Sequence, residues 1–152
     1  MEANEREYVL ARLILKVANT IIKNRNSHLK QLDLTAAQAD SLQFFLTREG
    51  ATTTDLKGHL GITHQTARGI VQRLAEKGLI SLRQSEQDGR YLIVSPTHQG
   101  VAIGDKLRKN GVQTGHKLLK GMDSDQQQTF LHLLQIALVN IQENEGKCHE
   151  QY

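Results

Sequence analysis

Residues 52–97 read TTTDLKGHLGITHQTARGIVQRLAEKGLISLRQSEQDGRYLIVSPT, and the order of caps, apolar positions and turn residues in them decides the fold. Thr52, with Asp55 three residues on, opens a short helix whose first turn also favours a carboxylate through the helix dipole. Leu56 and Leu60 give that helix its core side. Gly61 suits the left-handed residue that ends it, Ile62 plugs the turn, and Thr63 caps the next helix. There Ala67, Ile70, Val71, Leu74 and Ala75 form the buried face until Lys77-Gly78 stops it. His64, Gln65, Thr66, Arg68, Gly69 and Gln72 are left on or near the solvent side, which gathers hydrogen-bonding side chains at the helix N-terminus. Residues 79–83 and 91–95 are rich in β-branched, leucine and aromatic residues, and the polar segment 84–89 between them supplies a turn. Two capped helices around a tight turn, followed at once by a charged hairpin with Asp88-Gly89-Arg90 at its tip, predict a winged helix-turn-helix. The commonest use of that shape is to lay one helix in the major groove of DNA.

Outward from this stretch the chain is helical. From Glu5 to about His28, the residues Leu10, Leu13, Val17, Ala18, Ile21 and Ile22 recur at three- and four-residue steps, the stripe of a long amphipathic helix. Val9, Ile14 and Leu15 broaden the stripe beyond what one neighbouring helix would cover, so a partner chain is expected as a second neighbour. Thr35 and Gln38 form a capping box before a helix that runs to about Arg48 and stops at Glu49-Gly50. On the other side Pro96-Thr97 ends the second strand, and Thr97 caps a helix reaching to about Gly121. Asp123-Ser124-Asp125 starts the last helix, whose apolar stripe is Phe130, Leu133, Leu134, Ala137, Leu138 and Ile141. From Glu143 on the composition is that of a frayed tail. The fold class is therefore mainly α with a small β-hairpin wing, the winged helix-turn-helix being flanked by N- and C-terminal helices.

Composition narrows the class. A chain of 152 residues with 38% apolar and 23% charged residues has the balance of a soluble globular domain. No stretch approaches the roughly 20 apolar residues of a membrane span, and the acidic, polar residues 1–7 lack the features of a secretory leader. A cytoplasmic location is expected, with no membrane partner. The single cysteine, Cys148, forms no internal disulfide. A net charge of +3 permits a polyanionic partner, while few aromatic residues argue against the stacking platforms of a single-strand or RNA binder. Duplex DNA is the favoured nucleic acid.

The chain resembles the MarR family of bacterial winged-helix transcription regulators over nearly its whole length. The matching pieces are Leu34-Thr35 with Gln38, Arg73-Leu74 followed by Lys77-Gly78-Leu79-Ile80, and Asp88-x-Arg90 followed by Thr97 and Gly100. The resemblance implies a homodimer held by the first and last helices, with two lobes gripping a pseudo-palindromic operator as a repressor, and a small ligand that alters the grip. It divides residues 1–152 into a DNA-binding lobe at 34–97 and helical dimerisation regions at 1–33 and 98–152, with Leu10, Leu13, Val17, Leu134, Leu138 and Ile141 at the dimer seam. The arginine corresponding to Arg90 enters the minor groove at the wing and the aspartate corresponding to Asp88 orients it. Two positions depart from the family pattern: Gly69 stands where an arginine is frequent, and Pro96 replaces a hydrophobic residue before Thr97.

The residues support the same site chemically. A helix start carrying Thr63, His64, Gln65, Thr66 and Arg68 offers backbone amides to phosphate, while Gln65 suits adenine and Arg68 suits guanine or phosphate. Thr52, Arg73 and Arg83 complete the expected DNA-binding set, and a guanidinium at Arg90 suits a narrow A-tract groove. The bland alternative is that the threonines cap helices and Asp88-Gly89 merely turns a hairpin. Between Thr52 and Thr97 six cations (Lys57, Arg68, Arg73, Lys77, Arg83, Arg90) face four anions (Asp55, Glu76, Glu86, Asp88), an excess of two. Such a modest excess makes binding depend on two lobes sharing one duplex.

Other chemistries find little support. G-x-S-x-G, C-x-x-C and H-E-x-x-H are absent, and the glycines at 111 and 115 lack the spacing and preceding strand of a phosphate loop. An enzyme is not expected. The seven histidines are scattered without ligand-like spacing, so no metal site is expected, and no cysteine lies near the first helix, where some family members sense oxidants. No cofactor is implied beyond a small-molecule effector. Gly104, Gly111 and Gly115 in the fifth helix permit close helix approach or an effector cavity. The competing function is a winged helix used for protein contacts alone.

Overall fold

In the computed structural model, which describes residues 3–147, the chain runs α1 (Ala3–Gln31), α2 (Ala36–Thr47), α3 (Thr53–Leu60), α4 (His64–Glu76), β1 (Ile80–Gln84), β2 (Leu92–Pro96), α5 (His98–Leu119) and α6 (Ser124–Lys147). Local chemistry sets these boundaries. Thr35 Oγ1 accepts from the Gln38 amide and Gln38 Oε1 from the Thr35 amide, each at 3.2 Å. Thr52 and Asp55 repeat the arrangement at 3.2 and 2.8 Å, and Asp123 with Gln126 does so at 2.9 and 3.0 Å before α6. A cap of this kind stabilises by about 1 kcal/mol. Gly61 closes α3 at φ +63°, where a side chain would be strained.

Four elements, α1, α6, β1 and β2, differ in their bounds from the sequence expectation. α1 is longer at both ends, and α6 continues through Glu143 as far as Lys147 rather than fraying there. Each strand sits one residue later than expected, for a reason visible in the ladder. The Leu79 amide closes α4 on the Leu74 carbonyl at 3.0 Å, so antiparallel pairing begins at Ile80, opposite Pro96. Proline has no amide to donate and fits the strand end. Cys148 lies outside the described residues.

Residues up to Val112 form one compact unit and those from Gln113 a second. The core belongs to the first. Leu29 of α1, Leu42 and Phe45 of α2, Leu56 of α3, Ala67, Val71 and Leu74 of α4, and Leu79, Ile80 and Val94 around the hairpin are buried together, each large side chain being worth about 1.5–3 kcal/mol when fully buried. The Val94 amide donates to the Ala51 carbonyl at 2.9 Å, and Thr52 bridges Ile93. That bridge, which local patterning does not disclose, ties the start of α3 to the wing.

α5 approaches this core closely at two glycines. A Cβ on Gly104 would lie 2.2 Å from Leu46 Cδ1, and one on Gly100 would lie 2.0 Å from the Leu79 carbonyl oxygen. Close approach, rather than a cavity, thus explains Gly104, while nothing lies within 4 Å of a Cβ at Gly111 or Gly115. Among the described residues no helix is long and apolar enough to cross a membrane.

Candidate nucleic-acid interface

α4 is two-faced because its apolar residues recur on one line. Ala67, Val71 and Leu74 are buried, whereas His64, Gln65, Thr66, Arg68, Gly69, Gln72 and Arg73 are exposed. At about 100° per residue, Gly69 stands nearly opposite the buried line and Arg68 lies on the flank. The middle of the outward face is therefore bare backbone. Gln65 lies one turn before it, and Gln72 and Arg73 one turn after.

Part of the expected binding set is engaged in local structure. Thr63 Oγ1 accepts from the Thr66 amide at 3.2 Å, and the two hydroxyls share a hydrogen bond at 2.8 Å. Thr52 is held in its capping box, its hydroxyl also 3.0 Å from Asp55 Oδ2. These three threonines build helix starts whose first amides point outward. Gln72 Nε2 and Arg73 Nη1 both reach Glu76, at 3.3 and 3.5 Å, on the exposed side. The pairing is loose and solvated, so it leaves Arg73 available to an anion.

The wing presents its arginine in a fixed fork. Arg90 Nη2 donates to Asp88 Oδ2 at 2.9 Å, and Nε donates to Oδ1 at 3.1 Å and to Oδ2 at 3.3 Å. The Arg90 amide also donates to Oδ1, at 3.0 Å. The Tyr91 amide to the Asp88 carbonyl (3.1 Å) and the Ser85 amide to the Tyr91 carbonyl (2.9 Å) close the loop beneath it. Hydrogen bonds from the Arg90 side chain and then its amide hold the Asp88 carboxyl below its usual range, and Asp88 in turn raises the guanidinium. The Arg90 side chain nevertheless stays 86% exposed. It is oriented and ionised but not buried. Arg83, exposed on β1 opposite Ile93, adds a cation to the same hairpin.

Wing and helix meet in a cleft of about 240 Å³, lined by Thr52, Thr53, Thr54, His64, Arg68, Arg90, Tyr91 and Leu92. Of the expected residues, Thr52, His64, Arg68 and Arg90 are brought together here. Gln65, Thr66 and Arg73 lie along the outer face of α4, and Arg83 stands apart on the hairpin. Arg68 lines the cleft, about 100° around α4 from Gly69. Thr53, Thr54 and Tyr91 escaped the sequence reading. Their signal is the threonine run at 52–54, which has meaning only once the Thr52–Ile93 bridge sets α3 beside the wing. Among the described residues no group of three or more His, Cys, Asp or Glu is placed to hold a metal ion.

Comparison with known proteins follows the same outline. A family model described as MarR family matches residues 32–90. An uncharacterized HTH-type transcriptional regulator of Bacillus subtilis, YybA, is 26% identical over 133 residues, covering 88% of this chain and 89% of its own. The multiple antibiotic resistance protein MarR of Salmonella typhimurium is 29% identical over 130 residues, covering 85% and 90%. Among solved structures, a mutant MarR from E. coli complexed with operator DNA superimposes with a TM-score of 0.68 at 27% identity, covering 91% of this chain and 99% of that one.

Proposed function

Because the chain belongs to the MarR family of winged helix-turn-helix transcriptional regulators, we propose that it is a homodimeric, sequence-specific reader of duplex DNA. It represses transcription from a pseudo-palindromic operator in the cytoplasm, under the influence of a small ligand. The observation that carries this reading is the cleft in which the start of α3, the N-terminus of α4 and the Asp88–Arg90 fork converge. One side of the lobe thus offers helix-start amides, a polar helix face and an oriented guanidinium. α4 enters the major groove, with Gln65 and Gln72 toward base edges, Thr63, Thr66 and His64 at the helix start, and Arg68 and Arg73 at its rims. Arg90 reaches the minor groove, with Arg83 on the neighbouring phosphates. Thr52 acts by fixing the start of α3.

Dimerisation follows from the surface that the core leaves unused. Leu10, Leu13 and Val17 are 57%, 55% and 43% exposed, and Leu134, Leu138 and Ile141 are 41%, 58% and 64% exposed. Apolar stripes of this kind on both terminal helices mark an interface. A second copy places two recognition helices about 34 Å apart, one turn of B-DNA. In sedimentation equilibrium at micromolar concentration the protein should be a dimer, and Leu13→Glu should shift it toward monomer. A wild-type monomer would remove this part of the reading.

Selection from a random duplex pool at low salt tests the function itself. The expected product is a two-fold symmetric site. Its log–log salt slope should be about −0.9 times the number of phosphates neutralised. Failure to enrich any duplex would overturn the regulator reading.

A further inference from the structure

Gly69 has no internal reason to be glycine. It lies inside α4 with ordinary helical backbone, and nothing stands within 4 Å of a Cβ built on it. An interior helical glycine is less stable than alanine there, so folding alone would favour a side chain at this position. Gly100 and Gly104, by contrast, are explained by the atoms that crowd them. What distinguishes Gly69 is its place in the middle of the outward face, between Gln65 and Gln72, with Arg68 turned toward the wing cleft. A glycine whose protomer leaves it unoccupied suits an external surface that comes against the backbone.

We infer that Gly69 is a specificity determinant: its bare backbone seats α4 deeper in the major groove and receives the 5-methyl group of a thymine in each half-site, while Gln65 and Gln72 flank it. The inference rests on the duplex-reading function proposed above. The methyl is the one apolar feature that a base pair shows in the major groove, and the Cα methylene of a glycine offers it an apolar, uncharged floor. A side chain at 69 would stand between that methyl and the backbone. Cytosine, with no methyl and a donor at the same edge, would be read less well.

The test uses the full-length protein, the duplex that it selects, and two variants. Gly69→Ala should raise the melting temperature by about 1–4 °C, since alanine fits the backbone and meets no neighbour. The same variant should bind the selected duplex about tenfold more weakly. Gly58→Ala, at an equally open helical position in α3 that does not line the cleft, should stabilise without changing affinity. Replacing the half-site thymine by deoxyuridine removes only the methyl and should weaken wild-type binding about fourfold per half-site, while leaving Gly69→Ala almost unaffected. Equal affinity and equal uracil sensitivity in wild type and Gly69→Ala would overturn the assignment of Gly69 and leave the regulator reading standing. If the wild type selects no duplex, both fall.

Discussion

Gly100→Ala should cost about 3 kcal/mol or more and leave little folded protein at physiological temperature. The added Cβ would lie 2.0 Å from the Leu79 carbonyl oxygen and 3.0 Å from its carbon, and neither atom is free to retreat. The Leu79 amide is bonded to Leu74 O at 3.0 Å, and its carbonyl accepts from the Thr97 amide at 3.1 Å. Thr97 Oγ1 meanwhile donates to the Gly78 carbonyl at 2.6 Å and accepts from the Gly100 amide at 3.1 Å. The end of α4, the root of the wing and the start of α5 are thus one hydrogen-bonded latch, and moving any strand of it opens the others. Gly104→Ala makes the instructive contrast. Its Cβ would meet the tip of the Leu46 side chain at 2.2 Å, which can rotate away, so a loss nearer 1 kcal/mol is expected. Chemical denaturation of the two variants checks the order; a Gly100→Ala protein as stable as wild type would contradict the latch.

Arg90→Ala should weaken binding to the selected duplex by at least roughly thirtyfold. An arginine at such a position is worth about 1–3 kcal/mol, and the two wings of the dimer are truncated together. The salt slope should flatten by about one unit for each phosphate that Arg90 no longer neutralises. Asp88→Asn separates orientation from charge. It makes each protomer one unit more positive, so simple electrostatics would tighten binding. The fork at 2.9–3.3 Å instead gives the carboxylate an orienting role, and the expected result is poorer discrimination between selected and random duplex. Because its pairing with Arg90 lowers the Asp88 pKa, the wing's ordering is complete above the ordinary carboxylate range and is lost only as pH falls through the lower folded value. Binding measured between about pH 5 and 8 should consequently show no Asp88 titration. Fluorescence anisotropy across salt and pH would decide both points, and an Arg90→Ala protein of unchanged affinity would remove the wing from the interface.

How much could be read before folding depended on the range of each interaction. The capping boxes at Thr35 and Thr52, the left-handed Gly61 and the buried line Ala67–Val71–Leu74 all involve partners within a few residues, and the structure has them where the sequence places them. The Asp88–Arg90 fork is equally local. The strands begin and end one residue later than their composition suggests because the Leu79 amide answers to α4 rather than to the hairpin. Thr53, Thr54 and Tyr91 were missed for a related reason: nothing near them in sequence says that α3 starts beside the wing.

The sequence by itself determined the helices, their caps, the turn and the charged wing tip, because backbone preference, amphipathic period and i to i+3 hydrogen bonds act over single turns of chain. Only the tertiary structure decided that Arg68 lines the cleft while Gly69 holds the centre of the exposed face, and that Gly100 and Gly104 are crowded by packing while Gly69 is not. The physical reason is that a glycine's role is set by what stands over its missing side chain, and those atoms come from segments remote in the chain: Leu79 and Leu46 in two cases, and in the third none from the protein itself.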